Sequence, residues 1–162
     1  MSAQPSFDLT DHFGRHVTVE TFRGRRSLVF FGFTHCRMVC PRALTKLCDA
    51  LAIAGEGGID IQGLYISVDP ERDTPQRLAQ FLEPHPRFLG LTGSAEQSAA
   101  ARESFGVFVR RRANPRDPAG YDLPHSALTY LLDADGLYVH HWLDSAPVEE
   151  IAAGLTSHRK RA

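Results

Sequence analysis

Two apolar strands on either side of one amphipathic helix constrain the fold of this chain more than any other feature. Residues 27–33 (Ser-Leu-Val-Phe-Phe-Gly-Phe) are apolar on both alternating faces, which is typical of a strand covered on both sides of its sheet. From Pro41, apolar residues recur at helical spacing until Gly55, and residues 59–68 form the next apolar strand. This order predicts a parallel β-α-β unit.

The remaining segments extend this unit into an α/β sandwich with a mixed central sheet. Residues 6–22 predict an N-terminal β-hairpin with a turn at residues 11–14. The further predicted elements are helices at 75–82, 95–105 and 147–155, a short apolar stretch at 88–91, a strand at 107–109, and a hairpin formed by 126–133 and 137–141. Residues 110–124 predict a long loop, and residues 156–162 a basic tail.

The length and composition limit the classes of function. The chain has 162 residues, with 18 basic and 19 acidic side chains and a net charge of −1, which argues against a nucleic-acid-binding surface. This length predicts a single domain over residues 1–162. The sequence shows neither an apolar run of the roughly 20 residues that a membrane helix needs nor a signal-peptide pattern. As written, it predicts a soluble protein, made either in the cytoplasm or by removal of an export or anchor segment.

Three cysteines are too few for a disulfide scaffold, so their positions raise a question of chemistry. Cys36 and Cys40 lie between the first buried strand and its helix. Residues four apart share a helix face with Cβ atoms about 5–6 Å apart, and a helix N-terminus favours the thiolate. Such a pair can chelate a soft metal such as Cu(I), close a disulfide or simply pack. Cys48 lies on the apolar helix face and is predicted to be a core residue.

A metal would need further ligands. His125 follows the long loop and opens a predicted strand, so it is a candidate ligand, although a single histidine there is more often an ordinary loop residue. His35 is a weaker candidate, because alternation directs it away from its neighbour Cys36. Asp69, Glu71 and Asp73 offer carboxylates, but a proline-containing turn and a helix cap at Asp73 or Thr74 explain these acids without an ion.

Three blocks of sequence occur in the order typical of one family. They are Phe31-Gly-Phe-Thr-His-Cys36-Arg-Met-Val-Cys40-Pro41, then Ile66-Ser-Val-Asp-Pro-Glu-Arg-Asp-Thr-Pro75, then His125 ahead of a strand that ends in Asp133-Ala-Asp-Gly136. From Phe7 onward the chain therefore resembles the Sco (SenC/PrrC) copper chaperones. The resemblance implies a thioredoxin-like fold.

The resemblance also implies a site and a partner. Cys36, Cys40 and His125 would bind one copper ion, as Cu(I) or Cu(II), for delivery to the binuclear copper centre in the copper-site subunit of cytochrome c oxidase. Family members usually have a membrane anchor and face the periplasm or the intermembrane space, whereas this sequence, as written, shows no anchor and is also compatible with a cytoplasmic location. Arg37 stands where the family usually has proline.

Three functions compete. The first is the copper metallochaperone, which is not an enzyme in the usual sense. The second is a thiol–disulfide oxidoreductase that uses Cys36 and Cys40 and depends on a thioredoxin-like reductant; it would not need His125. The third is a peroxidase, suggested by the Val-Cys-Pro context of Cys40, but Arg37 occupies the place where those enzymes have threonine.

Overall fold

The computed structural model describes residues 4–35, 39–113, 121–122 and 128–157. Within these ranges the chain forms nine strands, four α-helices and one 3-10 helix. The strands are β1 (Asp8–Asp11), β2 (His16–Thr18), β3 (Arg26–Gly32), β4 (Ile61–Ser67), β5 (Phe88–Thr92), β6 (Arg112–Ala113), β7 (Tyr121–Asp122), β8 (Leu128–Leu132) and β9 (Tyr138–Leu143). The helices are α1 (Val39–Glu56), α2 (Pro75–Phe81), α3 (Ala95–Phe105) and α4 (Val148–Ser157), and the 3-10 helix is Val19–Phe22.

Seven strands form one mixed sheet in the order β2-β1-β5-β4-β3-β8-β9. Strands β3, β4 and β5 are parallel to one another. The hairpin β1–β2 adds antiparallel to β5, and β8 and β9 add antiparallel beyond β3. Strands β6 and β7 form a separate two-stranded ladder. The mixed α/β sheet and the N-terminal hairpin predicted from the sequence are therefore confirmed.

Each face of the sheet has its own apolar core, and β3 contributes to both. Leu28 and Phe30 point to one face, where they pack with residues of α1, α2 and α4. Val29 and Phe31 point to the other face, where they pack with residues of α3 and of the N-terminal hairpin. All seven residues of β3 are buried, as the apolar character of both its faces predicts.

The predicted bounds of an element agree best with the structure where local sequence signals mark both of its ends. Helix α3 begins and ends as predicted, because Ser94 and Gln97 form a capping box at its start and Gly106 adopts φ 70° at its end. Helix α1 begins at Val39, two residues before the predicted start at Pro41. Proline is tolerated there, because the first N–H groups of a helix have no intrahelical partner.

Other predicted bounds differ from the structure, because a strand forms only where another segment of the chain pairs with it. The strand predicted at residues 107–109 is wrong: Val109 forms only an isolated bridge, although Val107 is buried. The predicted loop at residues 110–124 contains the short strands β6 and β7. The second strand of the N-terminal hairpin ends at Thr18, because the 3-10 helix begins at Val19.

Candidate functional site

The elements that flank the predicted site residues in the sequence end or begin at one edge of the sheet. Because β3, β4 and β5 are parallel, their carboxyl ends lie at the same edge. Strand β8 runs antiparallel to β3, with Thr129 opposite Phe30, so β8 begins at this edge. Helix α1 also starts here, directly after the loop that follows β3. Loops at the carboxyl ends of strands are the usual place for function in such sheets.

The structure describes the predicted ligands only in part. Cys40 lies in the first turn of α1. Its side chain, together with Cys36 and His125, lies outside the described residues. The Cys-Cys-His ligand set therefore stays a prediction, and the described geometry concerns the residues around it.

A buried carboxylate joins the chain just before Cys36 to a neighbouring loop. Asp73 is only 1% exposed. Its Oδ1 accepts a hydrogen bond of 2.6 Å from the hydroxyl of Thr34, and its Oδ2 accepts one of 3.2 Å from the backbone N–H of the same residue. Two groups of one residue therefore bind to one carboxylate, which fixes both the backbone and the side chain of Thr34.

The same aspartate binds the ends of the other two parallel strands. The hydroxyl of Ser67, the last residue of β4, donates to Asp73 Oδ2 at 2.6 Å. The hydroxyl of Thr92, the last residue of β5, donates to the backbone carbonyl of Asp73 at 2.9 Å. Hydroxyl groups at the ends of β4 and β5 and two residues after the end of β3 thus converge on one residue.

A cation and a second acid border this network. Arg77 Nε donates to the Thr34 hydroxyl oxygen at 2.8 Å, while that hydroxyl donates to Asp73. Burial raises the pKa of Asp73 above its usual value; hydrogen bonds from Ser67 and Thr34 act in the opposite direction, and the charge of Asp69 adds to the increase.

His35, Asp69 and Asp73 each offer one ligand atom, and these atoms lie within 4.8 Å of one another, close enough for a metal ion. The carboxylates already have partners, however. Asp73 accepts the three side-chain and backbone bonds described above, and Asp69 pairs with the nearly buried Arg72. These hydrogen bonds and the ion pair account for the positions of both acids. That these acidic residues hold no ion stays a prediction.

The polar residues between β4 and α2 have separate roles. Thr74 is the N-cap of α2 and accepts a hydrogen bond from the backbone N–H of Arg77. Glu71 is exposed and faces Arg111 at 3.4 Å. The cap of α2 is therefore Thr74, while Asp73 points into the protein and binds the strand ends.

Cys48 is half-buried against the core cluster on the α1 side of the sheet. Its Sγ lies 3.9 Å from Nδ1 of His85. Burial raises the pKa of the Cys48 thiol, which keeps it in the less reactive protonated form. The predicted packing role of Cys48 agrees with this environment.

Sequence reasoning missed the link between Asp73 and Thr34. A signal was available, because adjacent parallel strands ending at Gly32 and Ser67 bring the two following loops side by side. An acid in one loop and a hydroxyl residue in the other are then candidates for a direct bond.

Within the described ranges, no helix has both the length and the apolar character required to cross a bilayer.

Comparison with known proteins finds relatives that match nearly the whole chain. The profile of the SCO1/SenC family matches residues 2–160. An SCO2-like protein of Rickettsia felis is 41% identical over 145 residues, which cover 88% of this chain and 71% of that protein. The mitochondrial SCO2 homologue of Homo sapiens is 40% identical over 159 residues, covering 96% of this chain and 59% of the human protein.

Solved structures agree with these matches. Arabidopsis thaliana ScoI with copper bound has a TM-score of 0.91 at 32% identity, covering 96% of this chain and 97% of that one. Yeast Sco1 with copper bound has a TM-score of 0.89 at 31% identity, covering 98% and 88%. BsSco, for which a disulfide switch is described, is a member of the Sco family of cytochrome c oxidase assembly proteins; its TM-score is 0.74 at 26% identity, covering 96% and 92%. This chain therefore belongs to the SCO1/SenC family and has the thioredoxin-like fold of its structural neighbours.

Proposed function

We propose that this protein binds one copper ion through Cys36, Cys40 and His125 and delivers it to the binuclear copper centre of cytochrome c oxidase during assembly of that enzyme. The ligand types suit the cargo. Thiolates are soft ligands that hold Cu(I), and an imidazole nitrogen also makes Cu(II) acceptable. Copper-bound relatives from Arabidopsis thaliana and yeast support a copper cargo, and the description of BsSco supports the acceptor.

The observation that carries this proposal is the pairing of β3 with β8. The chain leaves β3 at Gly32, four residues before Cys36. It enters β8 at Leu128, three residues after His125, and β8 begins at the edge where β3 ends. Cys40, in the first turn of α1, belongs to the same edge. The described ends of β3, β8 and α1, which flank the three proposed ligands in the sequence, therefore support a shared site at this edge.

Delivery follows from the same ligand set. Each protein ligand is replaced in turn by a ligand of the acceptor, so copper changes partner without a change in its oxidation state. The acceptor subunit is the partner that this mechanism requires. A periplasmic or intermembrane-space location, as in the family, is part of the proposal.

The test is an anaerobic titration of the reduced protein with Cu(I), followed by optical and spin-resonance spectra after titration with Cu(II). We expect one tight equivalent in the wild type and its loss in Cys36→Ser and in Cys40→Ser. Cys48→Ser is the matched control and should keep the full equivalent, because Cys48 packs against the core. Retention of tight binding in Cys36→Ser would contradict the proposal.

A second function is a thiol–disulfide oxidoreductase, favoured by the position of Cys40 in the first turn of a helix on a thioredoxin-like fold. The two thiols would give two electrons and two protons to a target disulfide and become a disulfide themselves. A thioredoxin-like reductant would then restore them. Rapid reduction of a test disulfide by metal-free protein that binds no copper would favour this function over delivery.

A further inference from the structure

We propose that Asp73 is a positioning residue for the two thiols, and this inference rests on the proposed function of Cys36 and Cys40. The carboxylate holds the end of β3 through Thr34, the second residue before Cys36. By fixing the point from which the chain leads to the first thiol, it raises the effective concentration of one thiol at the other.

Asp73 joins the ends of three neighbouring parallel strands. Hydroxyl groups of Thr34, Ser67 and Thr92, which end or follow the three parallel strands, all donate to it. Each of these residues is at least nine-tenths buried. A single residue therefore sets the relative position of the loops after β3 and β4.

The buried carboxylate of Asp73 is stabilised by hydrogen bonds to both of its oxygens. Burying a carboxylate is unfavourable unless its oxygens receive hydrogen bonds. Here both oxygens receive hydrogen bonds. One of the donors, the Thr34 hydroxyl, itself accepts a hydrogen bond from Arg77 Nε. Thr34 itself is held at both its backbone N–H and its side chain, so the bond restricts rotation as well as distance.

The consequence for the thiols is entropic. A chain segment whose end is fixed loses less freedom when two groups on it are joined, either by a disulfide or by a shared ligand. Releasing the end of β3 should therefore weaken disulfide formation and copper chelation together. A residue that only supports the fold would not change these equilibria in the folded protein.

The experiment measures the thiol equilibrium of metal-free protein in a Cys48→Ala background. Two protein thiols and one oxidised glutathione exchange for one protein disulfide and two reduced glutathione molecules, and the mixture is quenched with acid and analysed by mass. Cu(I) affinity is measured in parallel by competition with a chelator. We expect Asp73→Asn to lower both equilibrium constants about tenfold, because the amide nitrogen cannot accept the bond from the Thr34 N–H.

Asp11→Asn is the matched control. Asp11 is also a fully buried aspartate whose carboxylate accepts three hydrogen bonds, but it is the last residue of β1, and the donors to its carboxylate belong to Phe13 and Arg15. Its substitution should destabilise the protein and leave both constants unchanged. If Asp11→Asn lowers them as much as Asp73→Asn does, the effect is global and the inference is overturned.

Thr34→Val keeps the inference testable if Asp73→Asn does not fold. Valine has a similar shape and keeps the backbone N–H, but it lacks the hydroxyl that bonds to Asp73 and Arg77. It should lower both constants by a smaller factor. Unchanged constants in a folded variant of either residue would overturn the inference. Failure of the wild type to bind copper would instead contradict the proposed function, and the glutathione equilibrium would still test the role of Asp73.

Discussion

Gly154 in α4 lies directly against the indole ring of Trp142 in β9. A Cβ atom added at residue 154 would stand 2.5 Å from Cζ2 and 3.2 Å from Cε2 of that ring. Trp142 is 4% exposed, and its ring packs in the core that α1 and α4 share. The glycine therefore allows the helix to approach the sheet at this point.

Gly154→Ala should lower the free energy of unfolding by about 1–3 kcal/mol, because the methyl group overpacks this contact. Gly55→Ala in α1 is the control: its new Cβ would meet only Arg87 Nη1, at 3.8 Å. That variant should gain about 0.5–1 kcal/mol from helix propensity. Urea unfolding followed by fluorescence of the single tryptophan measures both variants. Equal signs for the two would contradict this account of Gly154.

His125→Ala should separate the two oxidation states of copper. We expect the variant to bind Cu(I) through the two remaining thiolates and to lose tight binding of Cu(II), which prefers a nitrogen ligand. The measurements are a Cu(I) competition titration and the spin-resonance spectrum of the Cu(II) form. His141→Ala is the control, because His141 lies in β9 and bonds to the Tyr138 hydroxyl. Unchanged Cu(II) binding in His125→Ala would remove His125 from the ligand set.

Asp11→Asn should destabilise the protein in a way that depends on pH. Burial alone would raise the pKa of Asp11, but hydrogen bonds from Arg15 and Phe13 and the Arg15 charge outweigh it and hold the pKa below 3.8. A carboxyl with a lowered pKa stabilises the fold above its unfolded-state pKa, and this stabilisation is lost as the pH falls through its folded-state pKa.

At pH 7 we therefore expect Asp11→Asn to cost about 1–3 kcal/mol. The difference from the wild type should shrink as the pH falls below 3.8, the ordinary value for this carboxyl. Urea unfolding at several pH values between neutral and acid conditions measures it. A difference that grows on acidification would contradict the assignment.

Tyr130→Phe should leave the protein as stable as the wild type or raise its free energy of unfolding by about 1 kcal/mol. The ring of Tyr130 packs edge-on against Phe31 and Phe105. Its hydroxyl is buried and has no hydrogen-bond partner among the residues that the structure describes. Burial, with the charge of Tyr138, raises the pKa of Tyr130 to about 12. Thermal unfolding measures the change, and a clear loss of stability would show that the hydroxyl has a role.

Features with local signals could be predicted from the sequence. Helix α3 has a capping box at Ser94 and a left-handed glycine at its end, so both its bounds follow from nearby residues. The strand character of β3 follows from its apolar residues on both faces. Residues 107–109 show the limit of this reasoning: alternating valines do not form a strand unless a neighbouring strand offers its backbone groups, and that depends on distant parts of the chain.

Part of the candidate site could also be predicted from local sequence, and part depends on the fold. The family resemblance of Cys36, Cys40 and His125 could be read from motifs, and family membership is confirmed. The hydrogen bonds of Asp73 could not be predicted from a motif, because its partners Thr34 and Thr92 lie far from it in sequence. Only the order β5-β4-β3 of the parallel strands brings them to one carboxylate.

The N-terminal hairpin also has a bearing on how this protein behaves when concentrated. Strand β1 pairs with backbone groups of β5 to which a strand of a second molecule could otherwise bind. The three-residue strand β2 is then the outermost strand on that side of the sheet. So short a strand offers few groups for intermolecular pairing. Self-association by strand addition at this margin is thereby disfavoured, even at the high protein concentrations that spin-resonance work on copper demands.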